Sequence, residues 1–139
     1  MAVPPSLSHP ELVAVRCMLV DDNAGFLDAA RGLLEQEGMV IVGVASTAAE
    51  TVRVAAELHP DVTLLDIDLG GESGFEVARR LADEPALDPG LLIMISAQAE
   101  DDVADLVEAS PAIGFLGKPA LSAVAINRLV GAADHRGYI

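Results

Sequence analysis

The chain has 139 residues, 52% of them hydrophobic, enough for one domain of ordinary size with a substantial core and too apolar for wholesale disorder. With 22 Asp and Glu against 8 Lys and Arg, the formal net charge is −14, so phosphate backbones and anionic membrane surfaces repel it, and neither nucleic acid nor membrane is an expected partner. Aromatics are 3% and Trp is absent, which leaves the core to Val, Leu, Ile and Ala.

Residues 1–14, with Pro4, Pro5 and Pro10, read as a flexible lead-in without the charged region and apolar stretch of a signal peptide. An apolar run from Val15 to Val20 reads as a strand that stops at Asp21-Asp22. It contains Cys17, the single cysteine, which excludes an internal disulfide and reads as a buried structural thiol in a reducing, cytoplasmic setting. Asn23 is placed to cap a helix with Phe26, Ala30, Leu33, Leu34 and Glu37 at helical spacing, closed by Gly38. Val40–Ala45 reads as a second strand. Thr47 and Glu50 form a capping box before a helix with Ala48, Val52, Ala55 and Ala56 on one face, and His59-Pro60-Asp61 is a turn. Val62–Leu65 is the third strand, ending in Asp66, and a loop with Gly70, Gly71 and Gly74 follows. Ser73 and Glu76 make a second capping box for a helix through about Asp83, and Pro85–Gly90 breaks the chain. Leu91–Ile95 is the fourth strand, ending in Ser96. Glu100, Asp101 and Asp102 suit the first turn of a fourth helix that Ser110-Pro111 ends. Ile113–Leu116 is the fifth strand, Gly117-Lys118-Pro119 follows, and a last helix spans about 120–130. The domain is expected over 15–133, with a tail at 134–139.

Five strands alternate with five helices, and the strands are continuous apolar runs rather than in/out alternations. That pattern predicts a parallel sheet buried on both faces, an α/β three-layer sandwich. Asp21, Asp22, Asp66, Ser96 and Lys118 all stand at or just past the carboxyl ends of strands, the edge where open parallel sheets bind ligands. Three carboxylates gathered there repel one another unless a hard divalent cation joins them, and Mg²⁺ suits carboxylates, water and phosphate oxygen. With the cation polarising a phosphoryl group, a carboxylate becomes a competent nucleophile, while Ser96 and Lys118 supply a hydrogen bond and a positive charge to phosphoryl oxygens.

Over residues 16–131 the chain resembles the response regulator receiver family, in a stand-alone, chemotaxis-type form. The resemblance rests on Met18-Leu-Val-Asp21-Asp22-Asn23, on Leu64-Leu-Asp66-Ile-Asp68-Leu69 with Gly74 beyond it, on Ile93-Met-Ile-Ser96-Ala97, and on Gly114-Phe115-Leu-Gly-Lys118-Pro119. It implies a flavodoxin-like fold with strand order 2-1-3-4-5. It implies Asp66 as phosphoacceptor, and Mg²⁺ (with Mn²⁺ or Ca²⁺ able to substitute) on Asp21, Asp22, Asp66 and the backbone carbonyl of Asp68. Ser96, Ala97 and Lys118 would contact the phosphoryl group, with Ser96 and Phe115 as a switch pair in which the ring turns from exposed to buried. Lys118-Pro119 would be a cis peptide, and Asp68 and Gln98 would tune phosphoryl lifetime. The implied partners are a sensor histidine kinase or phosphotransfer protein docking at the first helix near Phe26, a downstream protein target, and a second copy through helix four, strand five and helix five. Two departures stand out: Gly70 where the family commonly has Pro, and Ala120 where an aromatic often follows the Lys-Pro pair.

Asp66-Ile-Asp68 also resembles the Asp-x-Asp of haloacid-dehalogenase-type phosphatases, which use an aspartyl phosphate and Mg²⁺ too. There, however, the motif follows the first strand and a Thr or Val stands where this chain has Gly70. A third reading is a receiver-like interaction module that is never phosphorylated.

Overall fold

The computed structural model describes residues 15–84 and 86–137. The lead-in expected over 1–14, Pro85, and Tyr138 and Ile139 of the expected tail lie outside them. Five strands, β1 (Arg16–Val20), β2 (Val40–Ala45), β3 (Val62–Asp66), β4 (Leu91–Ser96) and β5 (Gly114–Gly117), form one sheet in the order β2-β1-β3-β4-β5. Every pairing is parallel. The order reverses between β1 and β3, which opens a crevice at the carboxyl edge between them.

The apolar runs are explained by two cores, one on each face. Along β1, Met18 and Val20 enter one cluster while Cys17 and Leu19 enter the other; along β4, Leu92 and Met94 oppose Ile93 and Ile95. Successive strand residues point to opposite faces, so burial of both leaves no place for polar alternation. Helices α1 (Ala24–Gln36) and α5 (Ala123–Gly137) cover one face with Leu27, Ala30, Leu34 and Ile126. Helices α2 (Ala48–Leu58) and α3 (Gly74–Asp83) cover the other with Val54, Ala55, Phe75, Val77, Ala78 and Leu81, near α4 (Ala104–Glu108). Cys17 has no exposed surface, and burial pushes its thiol pKa up to about 12.

Helix ends are set by local chemistry. Asn23 Oδ1 accepts the Phe26 N–H at 2.9 Å and starts α1. Gly38, in the left-handed region at φ 98°, ends it, with Gly38 N bonded to Glu35 O and Met39 N to Leu34 O in a Schellman arrangement. Thr47 and Ser73 accept from Glu50 N and Glu76 N to start α2 and α3. The return arm of the first capping box goes to Ser46 N, which donates to Glu50 Oε1, rather than to Thr47. Two caps come from far along the chain: Glu72 Oε1 accepts from Ala48 N at 2.9 Å, and Glu37 Oε1 from Ala123 N at 2.7 Å.

Three expectations need correction. Glu100–Asp102 form a 3₁₀ turn, and the α-helix behind it is only Ala104–Glu108, because it buries no residue of its own and helices are held mainly by packing an apolar face. The last helix begins at Ala123 rather than near 120, since Lys118–Ala120 form a separate 3₁₀ turn and Ser122 Oγ accepts the Ala125 N–H as the cap. It then runs to Gly137, into the span expected as a tail, because Gly131 lowers helix propensity without ending the helix.

Candidate functional site

Each strand delivers its polar residue to the same edge. Asp21 follows β1 and is fully buried, its N–H donating to Ala45 O at 3.0 Å and its Oδ1 accepting from Asn23 N at 2.9 Å. Asp22, next along, is exposed. Asp66 ends β3 with 6% exposure; its Oδ1 accepts from Asp68 N at 3.2 Å and its Oδ2 from Lys118 Nζ at 3.2 Å. Lys118 also reaches Asp21 Oδ2 at 2.6 Å, so one ammonium bridges two carboxylates. Asp21 Oδ2 is thus a buried carboxylate oxygen whose charge is met by the Lys118 ammonium.

Asp22, Asp66, Ile67, Asp68, Ser96, Ala97, Gln98 and Lys118 line a cleft of about 190 Å³. Ser96 is buried at its side, and its Oγ accepts the Gln98 N–H at 2.9 Å. Gly74 lies so close to the Asp66 carbonyl that a Cβ there would overlap it, so a residue without a side chain is required where α3 passes beneath the strand end.

Electrostatics follow from burial. Asp66 is pushed up to about 6, chiefly by desolvation and further by the Asp21 charge, while the Asp68 N–H and Lys118 hold it down. Burial pulls Lys118 down, but its contacts with Asp21 and Asp66 outweigh that and leave it raised. A divalent cation fits the donor set: Asp21, Asp22 and Asp66 each offer an oxygen within 4.8 Å of the others, three carboxylates against the single Lys118 ammonium.

The cleft unites Asp22, Asp66, Asp68, Ser96, Ala97, Gln98 and Lys118, with Asp21 beneath it. It departs from expectation at two points. Phe115 is already buried, at 8% exposure, within the core cluster that holds Met94 and Val103, because a ring without a hydroxyl has nothing to draw it to water. Lys118-Pro119 is trans, since none of the described peptide bonds is cis; Pro119 opens the 3₁₀ turn, where its fixed φ and missing N–H fit an ordinary trans linkage. One feature escaped the sequence reading: the Phe26 ring on α1 lies 4.4 Å from Lys118 Nζ, and the only signal was an aromatic in the first turn after the acidic pair.

Residues 17–130 match the family described as the response regulator receiver domain. The chain is 34% identical over 116 residues to a protein-glutamate methylesterase/protein-glutamine glutaminase of Myxococcus xanthus, covering 83% of this chain and 32% of that protein. It is 33% identical over 116 residues to the transcriptional regulatory protein LiaR of Bacillus subtilis, covering 78% and 51%. The chain thus spans about half or less of these relatives' length. Among solved structures, a two-component response regulator of the LuxR family from Aurantimonas sp. SI85-9A1 superposes with a TM-score of 0.76 at 27% identity, over 86% of this chain and 87% of that one. The chemotaxis response regulator CheY4 of Vibrio cholerae shares the fold, with a TM-score of 0.73 at 18% identity over 84% and 99%. The chain belongs to the response regulator receiver domains, the signalling switches of two-component systems. The phosphatase reading falls with this, since Asp66-Ile-Asp68 follows β3 and the acidic pair follows β1. Among the described residues no helix is long and apolar enough to cross a membrane.

Proposed function

We propose that Asp66 accepts the phosphoryl group from a histidine kinase, a phosphotransfer protein or a small phosphodonor in a Mg²⁺-dependent, self-catalysed reaction. The supporting observation is the Lys118 ammonium, which meets Asp66 Oδ2 at 3.2 Å and Asp21 Oδ2 at 2.6 Å beside a cleft with two more carboxylate-bearing residues, Asp22 and Asp68. In the reaction an Asp66 oxygen forms the new bond to phosphorus. The bond from phosphorus to the donor breaks, and its electron pair leaves with the acetate of acetyl phosphate or the imidazole of a phosphohistidine. Lys118 balances the charge that develops on the phosphoryl oxygens, and the Ser96 hydroxyl turns from its place at Gln98 N to donate to one of them. Asp21, Asp22, Asp66 and the Asp68 carbonyl would hold Mg²⁺, which supplies Lewis-acid polarisation of the phosphoryl group. Mn²⁺ or Ca²⁺ would serve in its place.

The added charge of about −1.5 to −2 then biases the Ser96–Phe115 pair and the surface of α4, β5 and α5, where a downstream protein or a second copy binds. Because Phe115 is buried, the ring begins inward, and Ser96 is the member of the pair that has to move. Asp68 and Gln98, at the rim of the cleft, set the lifetime of the phosphoryl group by orienting water. The first turn of α1 is the docking site of the donor, and the setting is cytoplasmic.

The test is intact mass after incubation with acetyl phosphate. A Mg²⁺-dependent gain of one phosphoryl group, absent in Asp66→Asn, is expected. No gain in the folded wild type, together with no binding of beryllofluoride, would leave the unphosphorylated interaction module as the better reading.

A further inference from the structure

Four contacts close a ring around the buried carboxylate of Asp21. Its Oδ1 accepts the Asn23 N–H at 2.9 Å, and Asn23 Oδ1 accepts the Phe26 N–H at 2.9 Å. The Phe26 ring lies 4.4 Å from Lys118 Nζ, and Lys118 Nζ lies 2.6 Å from Asp21 Oδ2. The ring runs through the residue after β1, the cap of α1, the first turn of that helix and the residue after β5.

We propose that Phe26 is a positioning residue for Lys118, holding the ammonium over the carboxylate pair through the face of its ring, with Asn23 fixing where that ring stands. The proposal rests on the reading that Lys118 meets the phosphoryl group. A lysine is a compact charge on a flexible four-carbon stem and brings no directional fork of its own. Asp21 Oδ2 at 2.6 Å and Asp66 Oδ2 at 3.2 Å attract the ammonium, but neither keeps water from its remaining sides. One-fifth of the Lys118 side chain is exposed, so water competes for the ammonium. An aromatic face attracts a cation electrostatically and excludes water from that side. Phe26 itself is half-buried and packs on the core shared with Leu27 and Ala30, so the ring has a fixed seat. A purely apolar role for Phe26 would be served equally by leucine; the positioning role needs the negative face of a ring.

The experiment uses the full chain as wild type, Phe26→Leu, Phe26→Tyr, Phe26→Trp, and with mono-, di- and trifluorophenylalanine incorporated at position 26, which keep the shape while weakening the ring's negative face. Two quantities are read. One is the proton shift of the Lys118 Cε methylene in the metal-free, unphosphorylated protein. The other is the phosphorylation rate at saturating acetyl phosphate and Mg²⁺. We expect an upfield ring-current shift in wild type that Leu abolishes. We expect a rate loss of about three- to tenfold in Phe26→Leu, recovery in Tyr and Trp, and a stepwise decline along the fluorine series. A wild-type rate in Phe26→Leu, or a flat fluorine series, overturns the proposal. Should Phe26→Leu fail to fold, the near-isosteric fluorine series decides alone. If Asp66→Asn still takes up phosphoryl, the functional reading fails, while the Lys118 shift still reports on the contact itself.

Discussion

The carboxylate of Glu72 accepts the backbone N–H of Ala48 at 2.9 Å, so the loop after β3 caps a helix that begins 24 positions earlier. Ala48 is the first residue of α2, whose leading N–H groups have no partner within the helix. Glu72→Ala should lower stability by about 1 kcal/mol, the usual cost of losing a cap. Urea unfolding gives the magnitude, and hydrogen exchange should show faster exchange at the Ala48 amide and little change in α3.

Gly70 stands in the left-handed region at φ 65°, and a Cβ added there would lie 2.6 Å from Asp22 Oδ2. Proline, common in the family at this place, locks φ near −65° and cannot take this conformation. Gly70→Pro should therefore destabilise the fold by about 1–3 kcal/mol, as strained backbone substitutions do, and should also weaken Mg²⁺ binding by displacing the Asp22 carboxylate. Denaturant midpoints and calorimetric Mg²⁺ titration measure the two effects; a variant matching wild type in both would show that the loop has a second, unstrained path.

Asp22 and Asp21 differ sharply in environment although they are neighbours, one exposed and one buried. Asp22→Asn should reduce Mg²⁺ affinity by about tenfold or more, the scale seen even when groups supporting a metal ligand are removed, with stability nearly unchanged. Asp21→Asn should reduce affinity too, but it also removes the buried partner of Lys118 and so lowers the unfolding midpoint. Paired calorimetry and urea unfolding separate these outcomes.

Asp66 carries a pH signature in the metal-free protein. Its folded pKa is raised to about 6, mainly by burial, whereas an unfolded Asp titrates near 3.9. Between those values the native state binds more protons than the unfolded chain, so stability falls as pH rises from about 4 to about 6 and then levels off. With a chelator present, the wild-type unfolding midpoint should drop across that window relative to Asp66→Asn, which cannot ionise. Mg²⁺ added at pH 7 should recover stability in wild type. Parallel pH curves for the two proteins would show that Asp66 does not titrate in this range.

Much of this is legible in the sequence itself. Strands buried on both faces leave uninterrupted apolar runs, so β1, β3 and β4 announce themselves, and their polar successors Asp21, Asp66 and Ser96 stand out against Val, Leu and Ile. Lys118 was legible for the same reason, as a charge directly after a strand. What stayed hidden depends on three-dimensional proximity or on small energies. Glu37 caps Ala123 from 86 positions away, and no local pattern marks a carboxylate for such a task. The Phe26–Lys118 stacking joins an early helix to the residue after the last strand. The acidic run at Glu100–Asp102 has the charge of a helix start, but little apolar surface follows to hold a long helix, so packing overruled the local signal. The inward place of Phe115 depends on its joining the core cluster that holds Met94 and Val103, a tertiary relation that composition does not record.

The burial of Cys17 has a practical corollary. Its strand is flanked by β2 and β3, and its thiol has no exposed surface and a raised pKa, so a thiol reagent can reach it only when the sheet comes apart. As the sole cysteine, it makes the chain its own stopwatch for global opening. Whatever tightens the far edge of the sheet, whether cation, phosphoryl group or docked protein, can be timed by the slowing of a single alkylation, with no label introduced and no residue replaced.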